Sequence, residues 1–209
     1  TATTEIYTLS LQTLFRSYYP EKNMELKYRL LDHPFYQSWS EGTVTKEQLA
    51  KYHKSYTEFI ELMPKYWHKI NKAFNQNTIE AADIVQDEMS HIPLWADWSH
   101  KLPATKDFPR MSEVIDTMNQ MTPSELLGAV QAFETQQPEV AETKKAGLLK
   151  FYGFEDSETK YFDEHMKEEE HIQYGNSLKE KYANQEEYKA GFDKGAELFY
   201  NGLNLFVTC

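Results

Sequence analysis

Behind the tetrad Thr45-Lys-Glu-Gln48, apolar residues return every three or four positions: Leu49, Tyr52, Tyr56, Phe59 and Ile60. The tetrad is a capping box, whose Thr and Gln side chains satisfy helix N–H groups reciprocally. The spacing that follows paints one apolar stripe along a helix. The same grammar recurs down the chain. Asn77-Thr-Ile-Glu80 reads as a second box, opening a run over 78–102 with apolar positions at Ile79, Ala82, Val85, Met89, Ile92 and Trp95. A local break is expected there near Pro93, and Pro64 should kink or end the run that starts at Thr45. Thr122-Pro-Ser-Glu125 joins a cap, a proline at the first helical position and a glutamate at the third. Its helix should reach about Tyr152, distorted at Pro138 and stopped by Gly153. Further runs cover about 157–183 and 186–206, and nothing alternates with period two for long enough to make a strand. The expected fold is all-α, one helical bundle of seven or eight helices over residues 1–209, with the first 20 residues as a loose N-terminal segment.

Composition narrows the partners. The 209 residues suffice for one large core. The 33 acids outnumber the 22 Lys and Arg, for a net charge of −11, a surface that repels phosphate backbones. Nucleic acid is therefore not an expected partner, and neither is a membrane, since no apolar run has the ~18 residues that a span needs. Cys209 is the sole cysteine, so no internal disulfide and no thiolate zinc site can form. No signal peptide is visible in the opening residues, and a cytoplasmic location is expected.

Three clusters on separate helices carry the chemistry. Glu88-Met-Ser-His91 places a carboxylate and an imidazole on one helical face, the Glu-x-x-His spacing that carboxylate-bridged metal pairs use in helical bundles. Alone, such a pair is more often a solvated couple. Glu134 shares its helix face with Leu127, Val130 and Ala141, and a buried acid needs a partner charge or a metal. His165-Met-Lys-Glu168-Glu-Glu-His171 sets Glu168 at about −60° and His171 at about −120° from His165 on an ideal helix, with the carboxylate between the imidazoles. Glu169 falls at about +40°, where it suits His165 only. A charge run like this usually marks a solvated face. Together, Glu88, His91, Glu134, His165, Glu168 and His171 form an oxygen- and nitrogen-rich donor set without sulfur, which suits iron or manganese with open positions for O2. Zinc is content with fewer ligands.

The chain resembles the haem-oxygenase-like di-iron oxidases, in particular the branch of the Chlamydia protein associating with death domains and its bacterial relatives. The resemblance runs from about His33 to Leu178. It is carried by His33-Pro-Phe-Tyr-Gln-Ser-Trp39, Thr45-Lys-Glu-Gln-Leu49, Pro64-Lys-Tyr66, His91-Ile-Pro-Leu-Trp95, Phe133-Glu-Thr-Gln-Gln-Pro138, Phe151-Tyr-Gly-Phe154 and Tyr161-Phe-Asp-Glu-His165. It implies metal ligands at Glu88, His91, Glu134 and His165, with the residues after His165 completing the set. Two departures stand out. The first Glu and His are closer together than in that branch. The interval from His165 to His171 is one residue shorter than the branch's His-x-x-x-Asp-x-x-His, with Glu in place of Asp, so Glu168 and Glu169 are alternatives; the arc favours Glu168.

The resemblance also implies an activity. Members of that branch make p-aminobenzoate for folate synthesis by an O2-dependent route that consumes one of their own tyrosines. That tyrosine matches Tyr36, the implicated amino-donor lysine matches Lys144, and Tyr52 matches a neighbouring tyrosine. Without the resemblance, Tyr36 reads as core packing and Lys144 as a solvated lysine. The implied cofactors are two Fe ions, or a Mn/Fe pair, with O2 and an external reductant; a homodimer is compatible. The first alternative is a true catalyst on the same fold, a di-iron oxygenase acting on an external amino acid or fatty acid. Another is a metal-free interaction protein. Thiamine degradation needs a cysteine nucleophile, for which Cys209 is badly placed, and haem ligation needs an early histidine, for which His33 is the sole candidate.

Overall fold

The computed structural model describes residues 26–207, and every regular element within them is helical. The opening 20 residues and Cys209 lie outside the described residues. The α-helices are α1 (Pro34–Glu41), α2 (Lys46–Ile60), α3 (Met63–Ala73), α4 (Ile79–Asp97), α5 (Ser112–Gln120), α6 (Pro123–Glu134), α7 (Gln137–Phe151), α8 (Lys160–His165), α9 (Glu169–Tyr182) and α10 (Gln185–Gly202). Three pairs, α2–α3, α6–α7 and α8–α9, are kinked halves of longer runs, which leaves seven runs in all.

The helix starts follow their caps. Thr45 and Thr122 form full capping boxes with Gln48 and Glu125. Thr78, rather than Asn77, caps α4, its hydroxyl accepting the Ala81 N–H. His33 caps α1 by accepting the Phe35 N–H on Nδ1, while its Nε2 meets Asn204 at 3.1 Å; this buried ring has a structural job.

Prolines set two of the kinks. Pro64 sits in the first turn of α3, so the run from Lys46 stops at Ile60 and restarts. Pro138 lacks the N–H that would meet the Glu134 carbonyl, and α6 ends at Glu134. Pro93 behaves otherwise. The expected break is absent and α4 continues to Asp97, with Pro93 on the solvent side, as is Met89, whose carbonyl it leaves without a helical donor.

The run expected over 157–183 is interrupted at 166–168. On an unbroken helix the six residues from His165 to His171 would turn the two imidazoles about 120° apart. The interruption lets both face one interior point.

The apolar stripe read along α4 is also corrected. Ile79 is 82% and Met89 51% exposed, and the buried face is Ala81, Ile84, Glu88, His91 and Trp95. Carboxylate and imidazole hold positions where a helix of this kind would ordinarily carry aliphatic side chains.

Helices α6 and α10 cross in backbone contact. A Cβ on Gly191 would stand 2.0 Å from the Glu125 carbonyl oxygen, and one on Gly128 2.1 Å from that of Tyr188. Trp39, Trp67, Trp95 and Trp98 are all fully buried. Each large side chain so buried contributes roughly 1.5–3 kcal/mol. Aromatic rings also border the polar cluster, Trp67 beside His171 and Tyr161 beside His91 and His165.

Candidate metal centre

Three carboxylates and three imidazoles converge from α4, the end of α6, the end of α8, the turn after it and the start of α9. Ligand atoms of Glu88, Glu134 and His171 lie within 4.8 Å of one another. His171 Nδ1 stands 3.1 Å from Glu168 Oε2, 3.5 Å from Glu88 Oε1 and 4.0 Å from Glu134 Oε1. His165 Nε2 is 3.5 Å from Glu168 Oε1, and His91 Nδ1 is 3.8 Å from Glu88 Oε2. The His91 and His165 rings are 4.5 Å apart. All six residues selected from the sequence therefore share one buried cluster. Glu168 is buried and Glu169 is exposed, which separates the two alternatives. Glu168 thus joins the cluster although the unbroken helix that the arc assumed is interrupted at 166–168.

The cluster carries atoms that protein alone leaves unsatisfied. His91 Nδ1, His171 Nδ1, Glu134 Oε1 and Glu168 Oε1 are buried and have no hydrogen-bond partner among the described residues. Such groups are costly unless something binds them. The electrostatics agree. Burial, then Glu168 and Glu88, hold the Glu134 carboxyl well above its ordinary range. Burial, then Glu88 and Asp87, do the same to Glu168. Burial, then His91, keep His165 neutral, well below its ordinary value. A multivalent cation inverts this balance: it compensates the carboxylates and uses the imidazole lone pairs. With oxygen and nitrogen donors and no sulfur, the residues fit iron or manganese.

Neighbouring groups fix the donors. The Tyr161 carbonyl can only accept, so His165 Nδ1 donates to it at 2.8 Å and Nε2 keeps its lone pair for the cluster. Trp67 Nε1 donates to Glu88 Oε1 at 3.2 Å. The Tyr161 ring stacks on His165 at 3.9 Å and meets Trp95 edge-on at 4.9 Å. Sequence reasoning singled out neither Trp67 nor Tyr161 as a site residue. Tyr161 stands one helical turn before His165, a signal that was available; Trp67 comes from a distant helix and had none.

Tyr36, Tyr52 and Lys144 form a second group. The Tyr36 and Tyr52 hydroxyls are 3.0 Å apart. Lys144 Nζ lies 5.2, 5.4 and 5.9 Å from the ring centres of Tyr36, Tyr52 and Tyr56. Lys144 is buried rather than solvated, and burial pulls its pKa down to about 7. Its charge also helps to depress His165, which ties the two groups together. Trp39 Nε1 donates to the Lys144 carbonyl at 3.1 Å and so anchors α7 behind it.

Residues 49–201 match the family described as iron-containing redox enzymes. The chain belongs to that family. The chain is 33% identical over 156 residues to a protein of Chlamydia muridarum named 4-aminobenzoate synthase, and 29% identical over 164 residues to one of the same name from Nitrosomonas europaea. The first alignment covers 65% of this chain and 65% of the relative, just short of two thirds of its length; the second covers 66% and 67%. Among solved structures, a TenA homologue from Pseudomonas syringae superimposes with a TM-score of 0.70, covering 87% of each chain at 13% identity. That likeness bears on the fold alone. Among the described residues, no helix is long and apolar enough to cross a membrane.

Proposed function

We propose that this enzyme makes p-aminobenzoate in an O2-dependent reaction, taking the aromatic ring from its own Tyr36 and the nitrogen from Lys144. The observation that carries the reading is Lys144: a buried amine with no paired carboxylate among the described residues, set against the Tyr36 ring and close enough to the Glu/His cluster to perturb His165. The name shared by the Chlamydia and Nitrosomonas relatives supports the product.

Glu88, His91, Glu134, His165, Glu168 and His171 would hold two iron ions, or manganese with iron. Reduced by an external electron donor, such a pair supplies the electrons and open positions that make O2 an oxidant. The remaining work belongs to the chain. A hydrogen bond between the Tyr52 and Tyr36 hydroxyls fixes the phenol against Lys144. Burial raises the Tyr36 pKa well above its ordinary value, so the ring is presented as a neutral phenol. A pKa of about 7 leaves a large share of Lys144 as the free amine, the nucleophilic form. Trp39, Trp95 and Tyr161 wall the site and exclude water. Because the ring comes from the polypeptide, each chain reacts once.

Counting the product tests this. Iron-loaded protein given reductant and O2 should release no more than one p-aminobenzoate per chain, and Tyr36→Phe should release none. Many products per chain, or undiminished yield from Tyr36→Phe, would instead favour a catalyst acting on an external amino acid or fatty acid.

A further inference from the structure

Asp87 precedes Glu88 on α4, and adjacent helical residues diverge by about 100°. Glu88 therefore points into the cluster while the Asp87 side chain, 56% exposed, reaches around its outer flank. Its Oδ2 lies 3.1 Å from His171 Nε2 and 3.7 Å from His91 Nε2. The opposite nitrogens of these two rings, His171 Nδ1 and His91 Nδ1, are the buried and unpartnered ones that face the carboxylates. One surface carboxylate thus meets the outer nitrogen of two rings whose inner nitrogens await a ligand.

A ring nitrogen hydrogen-bonded to a carboxylate carries the proton, which leaves the lone pair on the other nitrogen. The imidazoles of this site then differ in a specific way. His165, locked by the Tyr161 carbonyl at Nδ1, offers Nε2; His171, held by Asp87 at Nε2, offers Nδ1, while His91 Nε2 lies 3.7 Å from the same carboxylate, too far for a hydrogen bond. We propose that Asp87 is the positioning residue that sets the tautomer and orientation of His171 for metal binding through Nδ1. The proposal rests on the metal reading given above. Asp83 and Glu170 share the surface hollow outside Asp87, and neither has a hydrogen bond or ion pair to these imidazoles. They supply similar charge without the contact, which makes Asp83 the control.

The test is anaerobic calorimetric titration with Fe(II) of the wild type, Asp87→Ala, Asp87→Asn and Asp83→Ala, with nitrogen-15 spectra of labelled histidine in the metal-free proteins. Asp87→Ala should weaken Fe(II) binding about 10- to 100-fold. Asp87→Asn keeps an acceptor oxygen and should lose less. Asp83→Ala should bind as the wild type does. The His171 signals should report a proton fixed on Nε2 in the wild type and mixed tautomers in Asp87→Ala, with the metal-free Tm unchanged. Equal Fe(II) affinity in Asp87→Ala and wild type would overturn the proposal, as would a loss of the same size in Asp83→Ala, which would mean charge attraction alone. A wild type that takes up no Fe(II) would remove the metal reading itself, and this proposal with it.

Discussion

Lys144 Nζ stands 5.2 Å from the centre of the Tyr36 ring, while its neighbour Lys145 turns outward to Asp156 and Asp163. Adjacent lysines on α7 thus meet opposite fates, one paired at the surface and one buried among aromatic rings without a carboxylate. A lysine whose folded pKa of about 7 lies below its unfolded value near 10.4 binds fewer protons folded than unfolded. Stability therefore rises as pH climbs from about 7 to 10, and the burial penalty is full below that window. Lys144→Met should be more stable than the wild type by on the order of 2–4 kcal/mol at pH 7, an advantage that shrinks toward pH 10. Urea unfolding across that range checks this; a difference that does not change with pH would contradict it.

Glu134→Gln should separate stability from metal binding. The buried carboxyl is held well above its ordinary range by burial and by Glu168 and Glu88. An acid raised in this way destabilises the folded state as pH rises above the unfolded value of about 4.3. The neutral isostere should therefore raise the Tm of metal-free protein at pH 8 while lowering its affinity for Fe(II) by about tenfold or more. Thermal melts with and without Fe(II) should show the two effects with opposite sign.

Trp67→Phe keeps a large ring in place but deletes the indole N–H that meets Glu88 Oε1. Leaving a buried hydrogen-bonding partner unsatisfied costs about 1–3 kcal/mol, and a loss of that size is expected in denaturant unfolding of metal-free protein. A much larger loss would mean that the ring's packing, rather than its donor, is what matters.

Gly191→Ala probes the frame rather than the site. Its Cβ would stand 2.0 Å from the Glu125 carbonyl oxygen, part of a helix backbone that cannot step aside. Pushing α6 from α10 should cost at least about 1–3 kcal/mol, read as a fall in Tm. Gly202→Ala on the same helix is the control, since its Cβ would come no closer than 3.4 Å to a neighbouring side chain.

Much of this was legible in the chain because caps and prolines act locally. Thr45 and Thr122 mark their helix starts, and Pro138 a distortion, from sequence alone, since the groups that satisfy or break them lie within four residues. The α4 stripe was not legible. Hydrophobic periodicity assumes that the core wants carbon, and here the buried face carries Glu88 and His91, so the apolar pattern drew the eye to the exposed Ile79 and Met89. The break at 166–168 was hidden for a related reason. No proline or glycine marks it, and what favours it is the gathering of His165, Glu168 and His171 around one point, a tertiary requirement. Lys144 could not be told from Lys145 without the fold, because burial is decided by what α1 and α2 pack against α7.

The central claim is that the chain supplies its own substrate, and isotopic labelling tests it most directly. Protein made with ring-labelled tyrosine, loaded with iron and given reductant and O2 in unlabelled buffer, should release p-aminobenzoate bearing the label, with a matching loss confined to the peptide containing Tyr36. Unlabelled product, or labelled product from a chain whose Tyr36 peptide is intact, would contradict the account.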